Sequence, residues 1–287
     1  TGLKPSYGRI SRRGVAALAS SLDQVGVLAS SVRDTLTVLR AVAGHDPGDM
    51  TSARLPAAID AAPGGAQGLR VGVPEDLEEC ASPAAVRAAR RAAKLLEARG
   101  AVLVPARLPA YETCYAVYYI LCSSEASSNL ARYDGIRYGH AAPGDTLAAE
   151  YENARALFGE EVKRRLLAGT AALTADSRHG VYERAMELRW QITRQMRELF
   201  TRCDILLTPP APDTAYRIGA HSGASMASHA SDLFTAAPSL AGLPAISLPA
   251  GRHGGLPLGV QLTADAFAEN MLYRAAFALE EAIRCGV

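Results

Sequence analysis

Between Gly68 and Pro109 the sequence holds a short apolar run, GLRVGVPED, then SPAAVRAARRAAKLLEARG, then a second apolar run, AVLVPARLP. Ser82 suits an N-cap, and Pro83 stands at the first helical position, where its missing N–H is no loss. Gly100 stops the helix. Two strands separated by a whole helix form a parallel βαβ unit with a right-handed crossover. This feature commits the chain to an α/β architecture.

The flanking segments extend the pattern. SSVRDTLTVLRAVAGHDPGD predicts a helix capped by Ser31, with Asp34 three residues on and Gly44 past the last turn, followed by a turn at HDPGD. From about Tyr111 to Phe200 the chain reads as helical. The last of these helices carries an apolar stripe at Val181, Ala185, Leu188, Ile192, Met196 and Leu199, spaced by three and four. DILLTPPAP, LAGLPAISLPAG and PLGVQLTAD read as short strands punctuated by Pro and Gly, and ENMLYRAAFALEEAIR as a closing amphipathic helix. There is no internal repeat and no low-complexity linker. Gly64-Gly65 is the weakest point and reads as a surface loop within one domain.

The 287 residues, 49% of them hydrophobic, suffice for one large α/β domain or two smaller ones. A net charge of +1 gives no strong basic field for nucleic acid or a membrane surface, although a local basic patch stays open. The five cysteines are scattered and lack CxxC spacing, which fits a reducing compartment, the cytoplasm, and argues against a zinc site or disulfide framework. No apolar run reaches the length of a membrane span. The opening TGLKPSYGRISRRG has no apolar core of a signal peptide. Its Gly and Pro read as mid-domain backbone, with the expectation that more chain precedes Thr1 in the natural protein.

The candidate chemistry is open at the level of spacing. SSEASSNLARYDGIRYGH follows the apolar YAVYYIL. Ser123 and Ser127, like Ser124 and Ser128, are four apart and share a helix face. A serine nucleophile needs a base and an oxyanion nest, and no GxSxG or adjacent His or Lys supplies them here, so small residues at a close helix contact are the better reading. His221 and His229 lack metal spacing and read as polar loop residues. EEVKRRLLAG is a solvated helix face with a pair such as Glu161–Arg165, or one arginine turns inward to hold a carboxylate bidentately. Asp232 either caps a helix or lies at a pocket mouth facing a cation.

GLKPSYGRISRRGVAALASSLDQVG resembles the segment that follows the catalytic serines in amidase-signature enzymes. SSEASSNLARYDGIRYG is narrower and resembles the A subunits of the tRNA-dependent amidotransferases, a branch of that family. EEVKRRLLAGT, LLTPPAPDTAYRIG, SDLFT and LAGLPAISLPAG recur there in this order, so the resemblance covers the whole chain. It departs at SRHGVYERA, where relatives are tyrosine-rich, and at SGASMASHA, which lacks an aromatic common in relatives.

The resemblance implies an amidase-signature α/β fold, a central mixed β-sheet flanked by helices on both faces, with residues 1–287 forming one N-terminally incomplete domain. It implies a glutaminase that releases ammonia from glutamine to convert Glu-tRNA(Gln) to Gln-tRNA(Gln), and in some members Asp-tRNA(Asn) to Asn-tRNA(Asn). B and C subunits are the implied partners; ATP and Mg act in the B subunit, which also carries most of the tRNA contact. No cofactor is implied for this chain. The family uses a Ser–cis-Ser–Lys triad, and neither its lysine-bearing strand nor its GSDTGGS-type loop occurs between Thr1 and Val287. The chain therefore reads as a C-terminal portion that holds the glutamine-binding half and is inactive alone. Matching motifs puts the glutamine carboxylate on Arg165, its ammonium on Asp232, and a pocket tyrosine at Tyr118. A stand-alone amidase acting on another amide, or a non-catalytic binding fragment, are the alternatives.

Overall fold

The computed structural model describes residues 1–55, 59–61, 64–174, 180–219 and 231–285. A seven-stranded mixed sheet runs in the order β2-β1-β6-β7-β5-β3-β4. Its strands are β1 (Gly2–Lys4), β2 (Val27–Leu28), β3 (Arg70–Pro74), β4 (Val102–Ala106), β5 (Ile205–Thr208), β6 (Ala245–His253) and β7 (Leu256–Ala264). The flanking helices are α1 (Val32–Val42), α2 (Leu77–Cys80), α3 (Pro83–Ala98), α4 (Tyr111–Leu130), α5 (Leu147–Ala156), α6 (Glu160–Thr174), α7 (Val181–Arg202), α8 (Leu233–Leu240) and α9 (Glu269–Arg284).

The βαβ unit forms as its sequence predicts. β3 and β4 pair in parallel from Arg70↔Val102 to Pro74↔Ala106, with α3 between them. Ser82 Oγ accepts from the Ala85 N–H, Pro83 opens the helix, and Gly100 follows at φ 93°, a conformation open to glycine. Ser31 caps α1 in the same way, accepting from the Asp34 N–H. β5 joins β3 in parallel and β7 antiparallel, so the sheet is mixed. The α7 stripe is buried at Ala185, Ile192, Met196 and Leu199, while Val181, at the exposed start of the helix, is 42% accessible. Gly64 and Gly65 are exposed.

The chain divides into two compact units. The first comprises residues 1–13, 24–115 and 190–287 and contains the sheet; the second comprises residues 14–23 and 116–189. The main core belongs to the first, where β-strand residues Val71, Ile205, Leu207, Val260 and Leu262 meet Leu272, Tyr273 and Leu279 of α9. Burial of such apolar area contributes about 25 cal/mol per Å². An ion pair sits beside it: Arg9 Nη2 donates to Glu269 Oε2 at 2.8 Å, with both side chains nearly inaccessible. Glu269 also accepts from the Ser6 N–H at 3.0 Å. Burial opposes the charge of Glu269, but the Arg9 and Ser6 bonds outweigh it and hold its pKa below the usual carboxylate range.

Candidate functional site on helices α4 and α6

In the second unit, α6 packs against α4 at a point of backbone contact. A Cβ added to Gly169 would stand 2.0 Å from the Ser123 carbonyl oxygen and 2.9 Å from the Ser124 nitrogen. Only glycine allows this approach, and only small side chains at 123 and 124 leave the α4 backbone open to it. Both serines are 1% accessible, and their hydroxyls have no hydrogen-bond partner among the described residues. One turn further, Ser127 Oγ lies 2.8 Å from Thr170 Oγ1. The serines thus sit at a close helix contact, as the spacing argument favours.

That contact sets what lies one turn away. Arg165 precedes Gly169 by four residues, and Tyr118 and Cys122 are four apart on α4, so each pair shares a helix face. The Arg165 side chain is 18% accessible. Its Nε donates to Glu161 Oε1 at 2.8 Å, and its Nη1 donates to Cys122 Sγ at 3.2 Å. Tyr118 hydrogen-bonds the same guanidinium, and the Tyr119 ring centroid lies 5.5 Å from Cζ. Arg165 forms the i,i+4 pair with Glu161, and its side chain also turns inward onto Cys122.

Burial works against the charge of Arg165, but the bonds with Tyr118 and Cys122 outweigh it and raise its pKa. The guanidinium stays cationic. Burial pushes the Cys122 thiol up, against the pull of Arg165, so the sulfur stays a neutral thiol. The result is a fixed cation held by a thiol, a phenol and the half-exposed Glu161 carboxylate. Such an arrangement suits recognition of a small carboxylate.

Asp232 belongs to the first unit, whereas Tyr118 and Arg165 belong to the second. Asp232 occupies the N-cap position of α8, but its side chain takes no capping bond. The cap reading is therefore right for the backbone and wrong for the carboxylate. Ser231 Oγ donates to Asp232 Oδ1 at a long 3.5 Å. Further along α8, Thr235 and Pro238 line a groove of about 870 Å³ shared with Lys4, Leu248 and Gln261 of the sheet. His221 and all of SGASMASHA, with His229, lie outside the described residues, as do Ser177 to His179 of SRHGVYERA. Among the described residues no cluster of His, Cys, Asp and Glu could hold a metal ion. Nor is any described helix long and apolar enough to cross a membrane. All five cysteines are free thiols.

Similarity to known proteins follows this geometry. The sequence model of the family described as Amidase matches residues 1–273. The chain belongs to the amidase family. It is 45% identical over 286 residues to the glutamyl-tRNA(Gln) amidotransferase A subunit of Rubrobacter xylanophilus, covering 98% of this chain and 60% of that protein. It is 44% identical over 284 residues to the same protein from Moorella thermoacetica, covering 98% of this chain and 58% of that one. The crystal structure of the Thermotoga maritima counterpart superposes with a TM-score of 0.76 at 34% identity, over 97% of this chain and 57% of that chain. The chain thus spans about three fifths of the length of these curated relatives.

One member of the α4–α6 cluster escapes sequence reading. Cys122 counts there only as one of several scattered thiols. The signal was its four-residue spacing from Tyr118, which puts both on one helix face.

Proposed function

We propose that this chain is the amide-donor-binding part of an amidotransferase A subunit, a glutaminase that supplies ammonia for converting Glu-tRNA(Gln) to Gln-tRNA(Gln). Conversion of Asp-tRNA(Asn) would draw on the same ammonia. The observation that carries the reading is the inward, cationic Arg165 beside Tyr118 on closely packed helices. Relatives bearing this name, at 44–45% identity along nearly the whole chain, support it.

In this reading free glutamine offers a carboxylate and an ammonium. Arg165 binds the carboxylate and Tyr118 borders it. Each charge-assisted bond contributes about 1.5–3 kcal/mol, which selects glutamine over simple amides. The serine nucleophile, its partner serine and the lysine base come from outside these 287 residues, so the chain alone does not hydrolyse glutamine. B and C subunits complete the enzyme in the cytoplasm, and the B subunit uses ATP and Mg to activate the mischarged tRNA.

The test uses the full-length protein in complex with its partner subunits. Arg165→Ala should raise the glutamine requirement at least about tenfold, the loss of one charge-assisted bond, while ammonia still supports tRNA amidation. Equal loss of the glutamine- and ammonia-dependent reactions would remove Arg165 from the glutamine site.

A further inference from the structure

The guanidinium of Arg165 is held at two nitrogens by unlike groups. Glu161 takes Nε at 2.8 Å from a half-exposed position, with 45% of its side chain accessible. Cys122 takes Nη1 at 3.2 Å from a buried one, at 4% accessibility. The exposed carboxylate is a poor anchor, because water competes for it and salt screens it. The buried sulfur cannot move aside, because the neighbouring residue, Ser123, is pinned under Gly169. We infer that Cys122 is a positioning residue for Arg165: its sulfur fixes one amino group and so sets the angle at which the guanidinium meets a carboxylate.

The inference rests on the reading of Arg165 as the glutamine ligand. Its physical content is the choice of a neutral acceptor. A carboxylate at position 122 would hold Nη1 more strongly but would cancel the charge that a substrate needs. A thiol orients the group and leaves the charge available. Its burial also keeps it protonated beside a cation that would otherwise favour the thiolate. Tyr118, one turn away on the same face, hydrogen-bonds the same guanidinium.

The experiment uses the full-length enzyme with its partner subunits, and measures glutamine-dependent and ammonia-dependent tRNA amidation. Cys122→Ala should raise KM for glutamine about tenfold, the scale of one hydrogen bond to a charged group, with kcat and the ammonia-dependent rate near wild type. Cys122→Ser keeps a neutral acceptor and should recover most of the loss. Cys122→Asp should be worse than alanine, because it adds a competing anion. Thermal melts and gel filtration of the complex check that each variant is folded and assembled. If Arg165→Ala raises KM but Cys122→Ala does not, the positioning role falls and the glutamine reading stands. If Arg165→Ala leaves KM unchanged, the reading beneath it falls. A drop in kcat for Cys122→Ala at unchanged KM overturns the inference as well, since it would mark a general loss of structure.

Discussion

Replacing Gly169 with alanine tests how the α4–α6 contact supports the arginine. The added Cβ would meet Ser123 O at 2.0 Å and Ser123 C at 2.5 Å. Both are backbone atoms, so no side-chain rotation relieves the clash. Reaching an ordinary 3.4 Å contact requires the helices to part by roughly 1.4 Å at this point. Overpacking of this kind costs about 1–3 kcal/mol or more. Alanine returns about 0.8–1 kcal/mol through its better helix propensity. The net is a loss of up to about 2 kcal/mol, and at about 2–4 °C per kcal/mol for a chain of this class the melting temperature should fall by up to about 8 °C. Because Arg165 is one turn from Gly169, the same movement should lengthen the 3.2 Å bond to Cys122 and raise the KM for glutamine in the full enzyme. Calorimetry of the purified protein measures the first effect. Ser128→Ala, on the exposed side of α4, serves as the control and should leave the melt near wild type. A Gly169→Ala variant that melts at or above the wild-type temperature would show that the helices do not touch here.

Two further outcomes follow from buried charges in the first unit. Glu269→Ala leaves Arg9 buried without its carboxylate and should destabilise by about 3–5 kcal/mol; chemical denaturation measures this, and a loss near zero would show that the pair contributes little. Glu269 has a folded pKa below its unfolded value, so its contribution is present above the usual carboxylate range and disappears as pH falls through the lower folded value. Lys4 gives a slope of the same sign in a higher pH range. Its amine donates to the Leu243 carbonyl and to Gln24 at 3.4 Å, and burial lowers its pKa from 10.5 to about 8 against the pull of Glu269. Between those values the unfolded chain holds the proton that the folded chain has released. Lys4 therefore adds a stabilising slope as pH rises from about 8 to 10.5, and Lys4→Met should remove that slope from the melting curve. An identical pH profile for the two proteins would refute the buried amine.

The sequence alone determined the local elements. Ser31, Ser82, Pro83 and Gly100 act on backbone groups within a turn of themselves, so their roles could be read without knowing what they pack against. The parallel pairing of β3 and β4 was legible because an intervening helix leaves that crossover as the favoured connection. Residue order also carried the family, because matching segments recur along the whole chain. Only the tertiary structure decided that Arg165 both pairs with Glu161 and turns inward, and that Asp232 starts a helix without capping it. It also selected Cys122 from among the cysteines, through a contact 43 residues away in the chain. Spacing describes the neighbours a residue has along its own helix. Which atoms meet a guanidinium depends on how closely two helices approach, and here that distance is set by Gly169, where a single Cβ would not fit.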